Sequence, residues 1–446
     1  MTPEAASRQT VSAAELSRAD APVRASTAVT PSPRPAVQRK RQATCEALVL
    51  DARLRQSLVT MRSLGRRSLH VAGLEVSNNV RTSASVPAFW SRWCDQQFYA
   101  PSFELSAQAF LAYLDDVIRQ TGAQVLITSS DGTVEVVRRA RHRLERRVSV
   151  ALAREPALCI ATNKVRTLEV AQRLGIRVPY GVPVGSASEL PAALREIGLP
   201  AVVKPVESWV WSERQAARLE CKLVTTADEA RRAVEELTKL GGKTIFQQFL
   251  GGRREAVSFL YAGGEVYARF AQWAKRTQPP LGGTSVFRQS IAVPPDIGAD
   301  AERLVREIEL EGYSEVEFRR DHKGRPFLME INARLSASVE VAVRAGVDFP
   351  LLLYQWARGD RIERVTGYRA GQWMRDLRGD ILAMAQAVLE RGRPGVASPA
   401  RTLFDFLSAF CVISGYDQFT WTDPLPAWAA TVDFVDYLLK SLGAIS

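Results

Sequence analysis

The stretch SEVEFRRDHKGRPFLMEINARLSAS, Ser314 to Ser338, decides how the chain is read. Two apolar runs flank DHKGRP, and both carry charge at alternate positions, where burial of an unpaired carboxylate would be costly. With Glu317 set opposite Glu330, Arg320 falls opposite Phe327 and Asp321–Pro326 closes a six-residue turn suited to Gly324 and Pro326. The period of two then puts Glu315, Glu317 and Arg319 on one face with Leu328, Glu330 and Asn332. Val316, Phe318, Phe327, Met329 and Ile331 fall on the other. Two carboxylates facing each other across a strand pair repel. A divalent cation between Glu317, Glu330 and Asn332 would remove that cost, because Mg²⁺ takes oxygen ligands and commonly pairs one or two carboxylates with phosphate oxygens. The alternative is an exposed sheet face neutralised by Arg319 and Arg334.

Outward from this hairpin, the 446 residues are enough for two or three domains. Residues 1–42 are rich in Ala, Ser, Thr, Pro and Arg and poor in large apolar side chains, which predicts a disordered tail. Residues 43–158 read as an α/β domain, in which ALVLD, RLRQSLVTMRSLG and SLHVAG make a strand–helix–strand unit. A further strand and helix follow in AQVLITSSDGTVEVVRRARHRL. Ser129, Ser130 and Asp131 fall just past that strand, where open α/β sheets place ligands; Asp131 reads equally as a substrate contact or a helix N-cap. Residues 159–360 carry further α/β alternation and an antiparallel stretch turned at AGGE, with subdomains at about 159–247 and 248–360. Residues 361–446 read as mainly helical.

Hydrophobic content of 46% and charged content of 24% are those of a globular chain, and no apolar run approaches the roughly 18 residues that span a bilayer. Five scattered cysteines and three histidines disfavour a disulfide framework and a thiolate or imidazole metal centre. The net charge of +11 raises a nucleic-acid reading. Its densest cluster, RRARHRLERR at 138–147, sits on the outer face of an amphipathic helix, which a solvated surface explains.

Glu317 followed by Glu330-x-Asn332-x-Arg334 resembles the metal and phosphate signature of the ATP-grasp superfamily, in its carbamoyl-phosphate-synthase-like and carboligase branch. The resemblance covers roughly residues 45–360 and implies a Rossmann-like pre-ATP-grasp domain, a two-subdomain ATP-grasp fold and a helical C-terminal extension. It implies that Lys164 in TNKVRT and Lys204 in AVVKP hold ATP phosphates. Gln248 and Leu250 in FQQFLGG would meet adenine, and Glu255 the ribose. Lys275, Arg276 and Arg288, around PPLGGTSVFRQS, and Arg334 would serve the γ-phosphate or the activated carboxylate. The chain departs from the family after Lys204, where KPVESWVWSERQAARLECK lacks glycine, and at Gln248, where an acid is frequent.

The implied reaction is ADP-forming ligation of a small-molecule carboxylate to an amine, with ATP and Mg²⁺, for which Mn²⁺ can substitute. A cytoplasmic enzyme, free of membrane and nucleic acid and open to homodimerisation, is the expectation. Bicarbonate-using carboxylases, carbamoyl-phosphate-type enzymes and a non-catalytic nucleotide- or nucleic-acid-binding protein stand as alternatives.

Overall fold

The computed structural model describes residues 44–79, 83–211, 216–239, 241–280 and 282–443. The tail expected over 1–42 lies outside them. Five short strands, β1 Ala47–Leu50, β2 Val71–Val76, β3 Gln96–Ala100, β4 Val125–Ile127 and β5 Ser149–Val150, form a parallel sheet in the order β3-β2-β1-β4-β5. Every residue of β1, β2 and β4 is buried, as the unbroken apolar runs of β1 and β4 require of strands covered on both faces; in β2 the run is interrupted by buried Glu75. The strand order reverses at β1, so the carboxyl ends of β1 and β4 form a switch point. Asp51 leaves β1 with φ of 57°, and its carboxylate accepts hydrogen bonds from the Ser129 amide (3.0 Å), the Ser130 hydroxyl (2.9 Å) and the Thr133 hydroxyl (2.6 Å).

Next come β6 Gly181–Val184, β7 Ala201–Pro205, β8 Trp209–Trp211, β9 Ala216–Arg218, β10 Lys222–Val224 and β11 Thr244–Gln248. Strands β10-β7-β11-β6 make an antiparallel sheet with its own core of Val184, Leu190, Val203, Val234 and Phe246. The glycine-free segment after Lys204 folds back as the β8–β9 hairpin. Trp209 and Trp211 pack on Phe103 at ring-centroid separations of 5.5 and 6.2 Å, and Arg139 lies over Trp211.

The third sheet holds β12 Arg254–Ala262, β13 Glu265–Gln278, β14 Thr284–Ile291, β15 Gly312–Arg320, β16 Pro326–Asn332, β17 Trp373–Arg375 and β18 Gly415–Tyr416, in the order β16-β15-β12-β13-β14-β17-β18. Gly263 and Gly264 at the AGGE turn both take positive φ, as a tight hairpin between right-twisted strands demands. Val257, Phe259, Val316 and Phe318 form one face and share a core with Ile297, Ala301, Leu304 and Val305 of helix Pro295–Glu307. The opposite face carries the polar row of the hairpin.

The hairpin departs from the expected register on its turn side. Glu317 does pair with Glu330, but a β-bulge follows, so that Phe318 opposes Leu328, Arg319 opposes Phe327 and Arg320 opposes Pro326. Met329 is the extra residue. The bulge moves Leu328, fully buried, onto the apolar face, and its amide donates to the Arg177 carbonyl at 2.8 Å. Asp321–Arg325 form the shorter turn; the Asp321 side chain accepts from the Lys323 and Arg325 amides, both at 2.9 Å.

The C-terminal region has the expected helices, Leu377–Leu389, Pro399–Val412 and Leu425–Gly443, yet β17 and β18 also extend the third sheet. No helix among the described residues is long and apolar enough to cross a membrane. The Arg138–Arg143 cluster is consumed locally: Arg138 and Arg139 pair with Glu135, Arg141 with Glu145 and Arg143 with Asp115. Asp417, just past β18, is buried between Arg288 of β14, at 2.6 and 3.0 Å, and Arg55 of helix Arg55–Gly65, at 2.6 Å. Burial raises the Asp417 pKa, but Arg288 and Arg55 outweigh it and hold the carboxyl below the ordinary value. Its contribution to stability is therefore present above the unfolded-state pKa, about 3.9, and is lost as pH falls through the folded-state pKa. Asp417→Ala, which strands two buried guanidinium groups, is expected to lower unfolding free energy by about 3–5 kcal/mol in denaturant titrations at pH 7. A loss within error would show that the C-terminal segment is not anchored by this pair.

Candidate active site

The polar face of the third sheet answers the question of the paired carboxylates in a way the hairpin alone does not reveal. Glu317, nearly buried, receives Arg254 from the neighbouring strand β12, with Nε at 2.8 Å and Nη2 at 2.6 Å from Oε2. Asn332 Nδ2 donates to its other oxygen at 3.0 Å. Glu330 lies directly opposite, half-buried, and makes no hydrogen bond or ion pair among the described residues. Burial works against the Arg254 charge, but Glu317 and then Glu330 overcompensate and raise its pKa. Arg254 is thus a resident counter-cation. Glu315, two residues earlier on the same face, is buried, and its Oε2 accepts from Gln272 at 2.7 Å and Ser336 at 2.9 Å. Burial raises its pKa, and Glu317 adds to the effect.

Lys204, central in β7, is 8% exposed; burial pushes its pKa down, with Lys164 and Arg319 adding to the fall and Cys221 and Glu330 opposing it. Lys164 opens helix Lys164–Arg173, and its Nζ donates to the Ser208 hydroxyl at 3.2 Å. Arg319, on the face of Glu317, is pushed down to about 10 by burial, with Arg254 contributing. Lys204 of the second sheet and Lys164 at a helix start therefore act on the same space as Glu330 of the third. Gln248 ends β11, its amide donating to the Tyr180 carbonyl at 2.9 Å, and Leu250 is buried in the link to β12. In that link a Cβ on Gly252 would come within 2.2 Å of the Arg320 carbonyl oxygen, so the backbones approach too closely for any side chain.

The family described as "ATP-grasp in the biosynthetic pathway with Ter operon" matches residues 244–378. A D-alanine–D-alanine ligase of Pseudomonas putida (strain GB-1) is 26% identical over 215 residues, 44% of this chain and 64% of the relative. The chain thus spans a little under two thirds of the length of that curated relative. Among solved structures, biotin carboxylase from Campylobacter jejuni superposes with a TM-score of 0.57 at 14% identity over 74% of each chain. An L-amino acid ligase from Bacillus licheniformis gives 0.55 at 19% identity, over 74% of this chain and 79% of that one. The family match and the superpositions agree on an ATP-grasp fold for this chain.

Several residues that the ATP-grasp resemblance singled out are placed otherwise than expected. Glu255 pairs with Phe318 and so falls on the apolar face, opposite Glu317; it is 4% exposed and bound to Arg320 at 2.7 Å and Arg253 at 3.0 Å. In this arrangement it closes an ion pair, and the ribose role implied for it is not supported. Arg288 has no exposed surface and is saturated by Asp417 and the Ser338 carbonyl. Arg276 is held by both oxygens of Asp380 at 2.6 Å, and Lys275 lies 3.7 Å from Asp405. These three cations are turned to acids of the C-terminal region. Arg334 binds Asp131, and Ser130, not Asp131, caps helix Asp131–Leu144.

Hairpin reading missed Arg254, because the β12–β15 pairing that sets it opposite Arg319, diagonal to Glu317, joins strands 50 or more residues apart in sequence. No group of three or more His, Cys, Asp or Glu among the described residues is arranged to hold a metal ion. Glu317, Glu330 and the Asn332 amide oxygen are nonetheless the hard donors Mg²⁺ prefers, leaving the rest of its shell to oxygens of water and substrate. If so, Arg254 and a divalent cation serve the same carboxylates. Arg254→Met is expected to cost on the order of 3 kcal/mol in EDTA, and Mg²⁺ at about 100 times its Kd to return roughly 2.7 kcal/mol. A thermal-unfolding difference indifferent to Mg²⁺ would refute the shared role.

Proposed function

We propose that the chain is an ADP-forming carboxylate–amine ligase. The carboxylate oxygen attacks the γ-phosphorus of ATP and ADP departs; the amine nitrogen then attacks the acyl carbon, loses a proton, and phosphate leaves with formation of the amide. The observation that carries this reading is the convergence of buried Lys164 and Lys204 on a sheet face bearing Glu317, Glu330 and Asn332. Phosphoryl transfer is chiefly positioning and neutralisation of charge, which such a set performs without a cysteine or histidine nucleophile.

In this reading Lys164 and Lys204 hold the phosphates, the desolvated Lys204 acting at short range in a low-dielectric setting. Glu317, Glu330 and Asn332 would hold Mg²⁺, which would supply neutralisation of phosphate charge. Gln248 and Leu250, at the junction of the second and third sheets, line the adenine end, and Gln248 can accept from the adenine amino group. The β8–β9 hairpin serves as cover: it lacks the usual glycines and is instead seated by aromatic packing on Phe103. Excluding water there protects an acyl phosphate from hydrolysis.

The ligases among the similar proteins are named for D-alanine and for L-amino acids, which makes amino acids the first substrates to try. A cytoplasmic setting, where ATP is supplied, agrees with this reaction. The test is purified protein with MgATP, hydroxylamine and single amino acids of either hand, reading ADP and hydroxamate, followed by amino-acid pairs read by mass spectrometry. Lys204→Ala and Glu330→Ala are each expected to reduce turnover by about 10²–10³ or more while circular dichroism stays native. Wild-type rates in both variants would rule the reading out.

A further inference from the structure

We infer that Asp131, at the start of the helix that follows β4, is a positioning residue for Arg334; this rests on the ligase reading above. Arg334 follows Glu330 and Asn332 by alternation, one step past the end of β16. Its Nε lies 2.6 Å from Asp131 Oδ1 and its Nη2 3.2 Å from Oδ2, a two-pronged pair that fixes the guanidinium plane. The two residues are 203 positions apart in sequence and come from different sheets.

Asp131 is itself held rigidly. It is the first residue of helix Asp131–Leu144, whose N-terminus is closed by reciprocal bonds between Ser130 and Thr133, and both of those side chains are tied to Asp51 at the end of β1. An unbroken set of short contacts thus runs from the switch point of the first sheet to the guanidinium beside the carboxylate row. On the other side, a Cβ on Gly132 would meet the Phe103 and Trp209 rings at 2.7 Å, so the β8–β9 cover lands on the residue next to Asp131.

The Asp131 side chain is 39% exposed and that of Arg334 17%, so the pair reaches the surface on the Asp131 side while Arg334 is largely covered. Lys164 and Arg218 also act on the Asp131 carboxyl, which places it within the cation cluster of the proposed phosphate site. A carboxylate there lowers the net attraction for ATP phosphates. Its gain is orientation: Arg334 is kept aligned for the group transferred to the substrate carboxylate rather than free to collapse onto Glu330.

Steady-state kinetics of Asp131→Asn, using the hydroxamate assay with whichever amino acid the wild type accepts, test this. The expected result is a fall in kcat of about 10²-fold, as misplacement of a catalytic group produces, with the KM for ATP within about threefold. Melting temperature should stay close to the wild type, and Asp131→Glu should regain part of the rate. In an Arg334→Ala background, Asp131→Ala should cost almost nothing further. An unchanged kcat, a full additional cost in that background, or a rise in the KM for ATP at constant kcat would each overturn the positioning role while leaving the ligase reading intact. A wild type that forms neither ADP nor hydroxamate with any amino acid would remove the ligase reading, and this role with it.

Discussion

Repulsion between Glu317 and Glu330 is the constraint around which the third sheet is arranged. Side chains opposed on adjacent strands cannot separate without breaking the ladder, so positive charge must be brought to them. It comes from three directions: Arg254 on the next strand, Lys204 on another sheet, and Arg334 at the strand's own exit. Each is limited by partners of its own. Arg254 is fixed by β12, Lys204 is desolvated within β7, and Arg334 is held by Asp131. The carboxylate row is therefore set in a balance of charges drawn from the second and third sheets and from the helix that follows β4.

Local sequence made much of this legible. The alternation of Glu315, Glu317, Glu330 and Asn332 located the polar face, and the runs around Lys164 and Lys204 placed those lysines on a helix start and a buried strand, as found. The Glu317–Glu330 pairing from which the hairpin reading started is found, whereas the six-residue turn deduced from it is shortened by the bulge. What could not be read was non-local. Arg254 meets Glu317 through strand pairing across more than fifty residues, and Arg288 is claimed by Asp417 from 129 residues away. Glu255 depends on strand phase: a single position along β12 separates the polar face from the apolar one, and Glu255 pairs with Phe318 on the latter.

The C-terminal region is more than packing. Asp376, Asp380 and Asp417 meet Arg55, Arg276, Arg288 and Arg375 in a largely buried cluster joining the first helix, the third sheet and the extension. Asp423 repeats the device, binding Arg62 at 2.9 Å and the Ser91 hydroxyl at 2.7 Å. Arginines that elsewhere in the molecule could have faced a substrate are committed here to the chain itself, which narrows the cations available for chemistry to those around Lys164, Lys204 and Arg334.

The bulge at Met329 has a consequence for how this hairpin can change over evolutionary time. Its tip and its stem obey different arithmetic. Residues added between Asp321 and Arg325 lengthen a solvent-facing connection and leave both strands in phase. Losing Met329 would only remove the bulge and leave Phe318 opposite Leu328, whereas losing Ile331 would turn Glu330 onto the apolar face, away from Glu317. Length variation among related chains should therefore be tolerated at the tip and at Met329 and be absent from Glu330 to Asn332, the part of the strand that carries the carboxylate row.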